Sequence, residues 1–263
     1  EQVSSHIIEL PTMEDAEVEQ ALQWQVEQYI PMPLDQAVWS YQIVRRDSVG
    51  SEGIEVLIAA VAKSAVEFYR LVAEGAGLEV LALETELMST ARSVLPANPQ
   101  LAMVVDIGSN STDIGLVQNG NLLFTRAIPT ASMAFNRAIE TSLGLETSQA
   151  EEYKNTYGFS SAHLEGKLME AMSPVLNMII EELKKTIDFY SSKHHGETIK
   201  FITLSGGAAA IPEIVGQISA KLGLEVNMAD PFANILMDSS QKSAIGTTGP
   251  FYSVALGLSM REI

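Results

Sequence analysis

Apolar positions recur at two different spacings along this chain, and the switches between them mark its elements. Val3–Leu10 reads as an opening strand. Val18, Leu22, Val26 and Tyr29 or Ile30 then fall three or four residues apart, the repeat of one helix face, until Pro31-Met32-Pro33 stops the pattern. Thr12 is the predicted N-cap of that helix, with Asp15 three residues on as a weak variant of the capping box. Trp39, Tyr41 and Ile43 alternate as a strand does, and Ile54–Val61 is a second, mostly apolar strand. Lys63–Ala76 is amphipathic and ends at Gly77, a natural C-cap, and Leu78–Leu83 reads as another strand. The expected unit is β-α-β-β-α-β.

A helix predicted from about Thr85 to Leu95 leads to Pro96-Ala97-Asn98-Pro99, a boundary. Leu101–Ile107, Thr112–Gln118 and Leu122–Ala127 follow as strands, the last two joined by the tight-turn pair Asn119-Gly120. Helical spacing returns over residues 132–142, 147–157 and 164–194, with Val175, Ile179, Leu183 and Ile187 on one face of the third. Pro174 should kink that helix or sit close to its start. Phe201–Leu204 is a buried strand that runs into Ser205-Gly206-Gly207. A helix from Pro212 to Leu222, a short strand around Glu225–Met228 and a helix beginning near Pro250 complete the pattern. The class is α/β with an additional α+β lobe.

Composition narrows the partners. Sixteen Lys and Arg against 33 Asp and Glu give a net charge of −17. A chain so acidic is repelled by nucleic acid and by anionic lipid headgroups, so neither is an expected direct partner, and contact with a membrane should run through another protein. The acidity also serves plain solubility. With no cysteine, disulfides, thiolate metal sites and thiol nucleophiles are excluded. No apolar run reaches the ~18 residues that span a bilayer, and no signal peptide opens the sequence.

Three segments carry candidate chemistry. In Val104–Gly115 an apolar strand enters Asp106-Ile107-Gly108, then the small polar run Ser109-Asn110-Ser111, then Asp113 and a second strand. Consecutive small residues after a glycine can turn their N–H groups into one concavity that takes an anion, above all phosphate. Asp106, at the strand end, would meet the metal that accompanies it. Taken alone, the segment is equally a β-hairpin with a polar tip. In Leu204–Glu213 a strand, the pair Gly206-Gly207 and Ala208 precede a helix with proline near its first turn, a place where a flat ligand can lie on backbone. It is also the composition of an ordinary turn. Glu151 and Lys154 stand one helical turn apart, which serves equally as a solvated ion pair.

The order of these motifs resembles the actin/Hsp70 ATPase superfamily. Within it Asp106–Gly115 is similar to the second phosphate loop and Leu204–Glu213 to the adenosine loop. Glu151 and Lys154 fall where that family contacts ribose and adenine, and Val254–Leu258 is similar to the second connecting helix. The resemblance narrows through Glu9-Leu10-Pro11-Thr12-Met13, Trp24–Leu34, Trp39–Gln42 and Leu57–Lys63 to the PilM family of actin-like type IV pilus assembly proteins, and covers nearly the whole chain. FtsA, the division protein of the same architecture, is the nearest competitor. It ends in a membrane-binding amphipathic helix, whereas Met260-Arg261-Glu262-Ile263 carries no basic apolar tail.

The resemblance implies an actin-like fold with an inserted subdomain at 1–82, a remnant of subdomain 1A at 83–100, subdomain 2A at 101–133 and 200–263, and subdomain 2B at 134–199. It implies ATP and Mg2+ as cofactors, with Asp106 toward the metal. Gly108, Ser109, Asn110, Ser111, Glu151, Lys154, Gly206, Gly207 and Ala208 would surround the nucleotide, and Glu86 and Asp113 are the candidates for polarising a water. Glu86 equally suits a helix N-terminus as a carboxylate favoured by the dipole. The family's first phosphate loop has no counterpart before Val3, so the sequence is expected to be the later part of a longer protein and its ATP affinity to be weak. Ala208-Ala209-Ala210 replaces hydroxyl or basic groups frequent in relatives. The implied role is a scaffold with at most slow hydrolysis, cytoplasmic and peripheral on the inner membrane. It would take the N-terminal peptide of the membrane protein PilN on the inserted lobe, with pilus motor ATPases and self-association as further contacts. A working ATPase or kinase, or an FtsA-like filament subunit, are the alternatives.

Overall fold

The computed structural model describes residues 3–46, 53–194, 197–233, 235–238, 241 and 245–262. Glu1 and Ile263, at the ends of the expected domains, lie outside them. The chain divides into two compact units, residues 1–85 with 121–125 and 263, and residues 86–120 with 126–262.

The first unit runs β1 (Val3–Leu10), α1 (Asp15–Gln25), β2 (Ala37–Arg46), β3 (Ile54–Ala62) and α2 (Lys63–Gly75). Its three strands pair antiparallel in the order β1-β3-β2. Ile8, Leu10, Ile54, Val56 and Ile58 from the sheet pack with Val18, Leu22 and Val26 of α1 in one core. The helix does not begin at Thr12. It begins after Glu14, whose N–H donates to the Glu17 carboxylate at 3.1 Å. Both positions offer capping chemistry, and the reciprocal Glu14–Glu17 pair is the one used. Gly77, at φ +76°, ends α2 as expected. Leu78 N–H reaches Ala73 O at 3.0 Å and Gly77 N–H reaches Glu74 O at 2.9 Å, the two bonds of a Schellman motif.

The second difference is larger. Leu78–Leu83 forms no strand: among the described residues it is an irregular segment with Leu78, Leu81 and Leu83 exposed. Its apolar content suits a strand, but a strand exists only through pairing, and the sheet of this unit consists of β1, β3 and β2. The observed order is therefore β-α-β-β-α. No residue of α2 is buried, and Phe68, Tyr69, Leu71 and Val72 stand exposed on it.

The second unit opens with α3 (Glu86–Val94), then β4 (Ala102–Ile107), β5 (Thr112–Gln118) and the last residues, 126–128, of β6 (Asn121–Ile128). It continues with α4 (Ser132–Leu143), α5 (Thr147–Tyr157), α6 (Lys167–Lys193), β7 (Phe201–Ser205), α7 (Ile214–Leu222), β8 (Glu225–Met228) and α8 (Ser253–Ser259). The sheet order is β6-β5-β4-β7-β8, with β4 antiparallel to β5 and parallel to β7. Asn119 (φ +52°) and Gly120 (φ +80°) form the turn between β5 and β6. Val104, Val105, Ile107, Ile202 and Leu204 are fully buried, as the near-continuous apolar runs of β4 and β7 require. Pro174 lies in the N-terminal third of α6. The helix expected from Pro212 starts instead at Ile214, because Glu213 adopts the left-handed conformation (φ +63°) ahead of it.

The crossing of α3 and α8 is closed by small residues. Ser89 Oγ donates to Val254 O, Ser93 Oγ to Ser253 O and the Arg92 guanidinium to Gly257 O, all at 2.7–2.8 Å. Gly257 lies so close to Ser89 that a Cβ there would be 1.8 Å from the Ser89 carbonyl oxygen.

Candidate functional site

The central strands β4 and β7 end side by side, and their ends carry both candidate loops. Their parallel register places Asp106 opposite Ser205, and the antiparallel register with β5 places Asp106 opposite Asp113. The carboxyl ends of parallel neighbouring strands are the usual place for a ligand in an α/β sheet.

The loop after β4 is held by its own backbone and by α4. Gly108 N–H donates to Ser111 O at 3.0 Å, while Ser132 N–H and Met133 N–H, from the first turn of α4, donate to Gly108 O (3.1 Å) and Ser109 O (3.0 Å). Thr112 Oγ1 donates to Thr130 O at 2.7 Å, and Ser111 Oγ to Asp113 Oδ2 at 3.2 Å. Ser109 and Asn110 are exposed at the tip, and among the described residues their N–H groups have no hydrogen-bond partner. Two free amides on a loop braced from behind are donors suited to an anion.

Behind the loop the electrostatics favour a cation. Burial pushes the Asp106 carboxyl up to about 6; the Ser205 hydroxyl opposes this, and the carboxylates of Asp113 and Glu86 add to it, with Thr90 opposing weakly. Glu86 is exposed at the start of α3, and Thr90 lies one turn further on the same face. Thr90 Oγ1 is buried and lacks a well-aligned hydrogen-bond partner. A cation reaching Asp106 would relieve the carboxylate repulsion and favour the ionised form. Among the described residues no group of three or more His, Cys, Asp or Glu could hold a metal ion. Asp106 is thus a single carboxylate facing this space, with oxygen chemistry of the kind a hard cation takes when its other ligands come from elsewhere.

The loop after β7 meets this site directly. Gly206 has φ +81°, and a Cβ there would stand 2.6 Å from Asp106 Oδ1 and from the Ile107 carbonyl oxygen. Gly207 lies under the Phe251 ring, which a Cβ would meet at 2.8 Å. Ala208 is buried. Pro212 O accepts from Phe159 N–H at 3.0 Å, joining this loop to the end of α5.

On α5, Glu151 is exposed and Lys154 is not. Lys154 Nζ donates to Ser132 Oγ at 2.8 Å. The structure thus brings Asp106, Asp113, Gly108, Ser109, Asn110, Ser111, Glu86 and Gly206 to one end of the sheet. It turns Lys154 toward α4 and leaves Glu151 at the surface. Sequence reasoning passed over Ser205, Thr90, Ser132 and Phe251. Ser205 had a signal in its place beside the glycine pair, and Thr90 in its spacing of four from Glu86. Ser132 and Phe251 gain their positions from residues far off in the chain.

The family model for type IV pilus assembly protein PilM matches residues 2–263. The chain belongs to this family. Among solved structures, a PilM-PilN type IV pilus biogenesis complex is 27% identical, with a TM-score of 0.80 over 99% of this chain and 76% of that one. FtsA of Escherichia coli K12 is 28% identical over 217 residues, which cover 70% of this chain and 49% of FtsA, so the chain spans about half the length of that relative. MreB5 of Spiroplasma citri bound to AMPPNP, 17% identical with a TM-score of 0.57, covers 76% of this chain and 64% of its own, and shares the fold. The actin-like fold expected for PilM relatives is therefore present. No helix of the described residues is long and apolar enough to cross a membrane.

Proposed function

We propose that this chain is a nucleotide-binding scaffold of type IV pilus assembly that takes the N-terminal peptide of PilN and joins it to the pilus motor. The carrying observation is the likeness to the PilM-PilN complex over 99% of the chain. The convergence of the two loops on Asp106 supports the nucleotide part. In that reading residues 101–133 with 200–263 are 2A and residues 134–199 are 2B, with Glu151, Gly206 and Gly207 toward the nucleoside and Ser109 and Asn110 on phosphate. Asp106 serves Mg2+, which supplies charge neutralisation at the phosphates when bound. The remaining divisions, 1–82 as the inserted lobe and 83–100 as part of 1A, belong to the same proposal.

Turnover in this reading is slow. Hydrolysis needs a water held and polarised. Glu86 and Asp113 are the carboxylates available for it. Asp113 already accepts a hydrogen bond from Ser111. Its role is to orient loop and water rather than to take a proton.

For the peptide, the first unit offers a groove of about 580 Å³ lined by Val66, Leu78, Val80 and Leu83, with Arg70 and Glu74 at its side. An extended apolar segment fits such a groove, with hydrogen bonding to the backbone of residues 79–83, which lies outside every strand of the described residues. The test is calorimetric titration of the protein with the PilN N-terminal peptide. Saturable binding with one peptide per chain is expected; no binding at peptide concentrations up to about 1 mM overturns the reading. Attachment to the inner membrane follows from this contact.

A further inference from the structure

Lys154 lies in the last turn of α5 and is 3% exposed. Lysines are almost never buried so far without a partner. Here the ammonium donates to Ser132 Oγ at 2.8 Å. Burial lowers its pKa, and the Glu151 carboxylate acts against that. Ser132 is the first residue of α4, and its own N–H holds Gly108 O, while the next N–H, of Met133, holds Ser109 O. The lysine therefore fixes the hydroxyl of the residue whose amide fixes the loop.

The C-terminal end of α5, one turn beyond Lys154, is fastened as well. Gly158 (φ +51°) abuts Pro212 so tightly that a Cβ would lie 2.4 Å from the Pro212 carbonyl oxygen, and Phe159 N–H donates to that same oxygen. One helix thus grips the Gly108–Ser111 loop through Lys154 and the Gly206–Glu213 loop through Gly158 and Phe159. A single helical turn between the two loops links them more firmly than either contact alone.

We propose that Lys154 is a positioning residue: acting through Ser132, it couples the Gly108–Ser111 loop to α5 and so sets the affinity for phosphate groups without touching the nucleotide. The affinity arm of the test rests on the nucleotide reading above; the exchange arm does not.

The test compares Lys154→Met, Ser132→Ala, the double variant and Lys154→Arg in the intact protein. Amide hydrogen exchange is followed at Gly108, Ser132 and Met133, and Mg-ATP and adenosine are titrated separately. Each single variant is expected to speed exchange at these three amides and to weaken Mg-ATP about tenfold. The double variant adds little, adenosine affinity is unchanged, and Lys154→Arg restores part of the loss. Unchanged exchange in Lys154→Met overturns the proposal. So does a loss of adenosine affinity in Lys154→Met that Ser132→Ala does not share, which would make the lysine a direct contact. Exchange raised throughout α4 and α5 would mean general loosening and also overturns it. If the unaltered protein binds neither ligand, the nucleotide reading fails while the exchange arm still decides the coupling.

Discussion

Gly206 and Asp106 sit in such close contact that no side chain fits between them: a Cβ on Gly206 would stand 2.6 Å from Asp106 Oδ1. The parallel pairing of β4 with β7, which sets Ser205 opposite Asp106, creates this approach. Gly206 is also at φ +81°, where a side chain is strained regardless of space. Gly206→Ala is therefore expected to destabilise the second unit by about 2–4 kcal/mol, read as the shift of the denaturant midpoint. A loss below about 0.5 kcal/mol would show that the loops do not need this contact.

Gly257 makes the same kind of demand between helices. Its ideal Cβ lies 1.8 Å from the Ser89 carbonyl oxygen, a backbone atom that cannot swing aside. Gly257→Ala should separate α3 from α8 and break the Ser89–Val254 and Arg92–Gly257 bonds. A fall of several kcal/mol is expected, or failure to fold. Thermal melting decides it, and an unchanged midpoint would contradict the packing.

The raised pKa of Asp106 gives a pH dependence of known sign. Its folded value of about 6 lies above the ordinary aspartate value of 3.8, so the folded state holds the proton more tightly. Its contribution is fully present below about pH 4 and is lost as pH rises through about 6. Asp106→Asn should therefore stabilise the ligand-free protein at pH 7–8, by about 1–3 kcal/mol at most, and should gain nothing near pH 4. A variant equally stabilised, or destabilised, at both pH values would contradict this. Mg-nucleotide should lower the same pKa and weaken the pH dependence.

Leu78 and Leu83 provide a separate test of the groove. Both are at least half exposed, at 63% and 50%. Leu78→Asp with Leu83→Asp should change stability by no more than about 0.5 kcal/mol while abolishing PilN-peptide binding. Full peptide affinity in the double variant would place the contact elsewhere.

Where the fold was legible in the sequence, the cause is local. β4, β5 and β6 carry their apolar runs and the turn pair Asn119-Gly120 within a few dozen residues, and α4 and α5 carry a helical repeat. Leu78–Leu83 misleads because apolar content announces a strand but cannot announce a partner. Thr12 misleads because Glu14 and Glu17 offer rival capping chemistry two residues on. In the site, Asp106, Gly206 and the loop between Gly108 and Asp113 are visible as motifs. The reasons for them are not: Gly206 answers to Ile107, Gly257 to Ser89, Gly158 to Pro212, each distant in the chain. Lys154 was visible only through Glu151, three residues away, and its partner Ser132 stands twenty-two residues back on another helix.

That the loops after β4 and β7 form one nucleotide site is the central claim, and the direct measurement is titration of the protein with Mg-AMPPNP beside its Asp106→Ala variant. The account predicts saturable binding by the unaltered protein and affinity at least tenfold weaker in the variant. Binding of equal strength by both, or by neither, would contradict it.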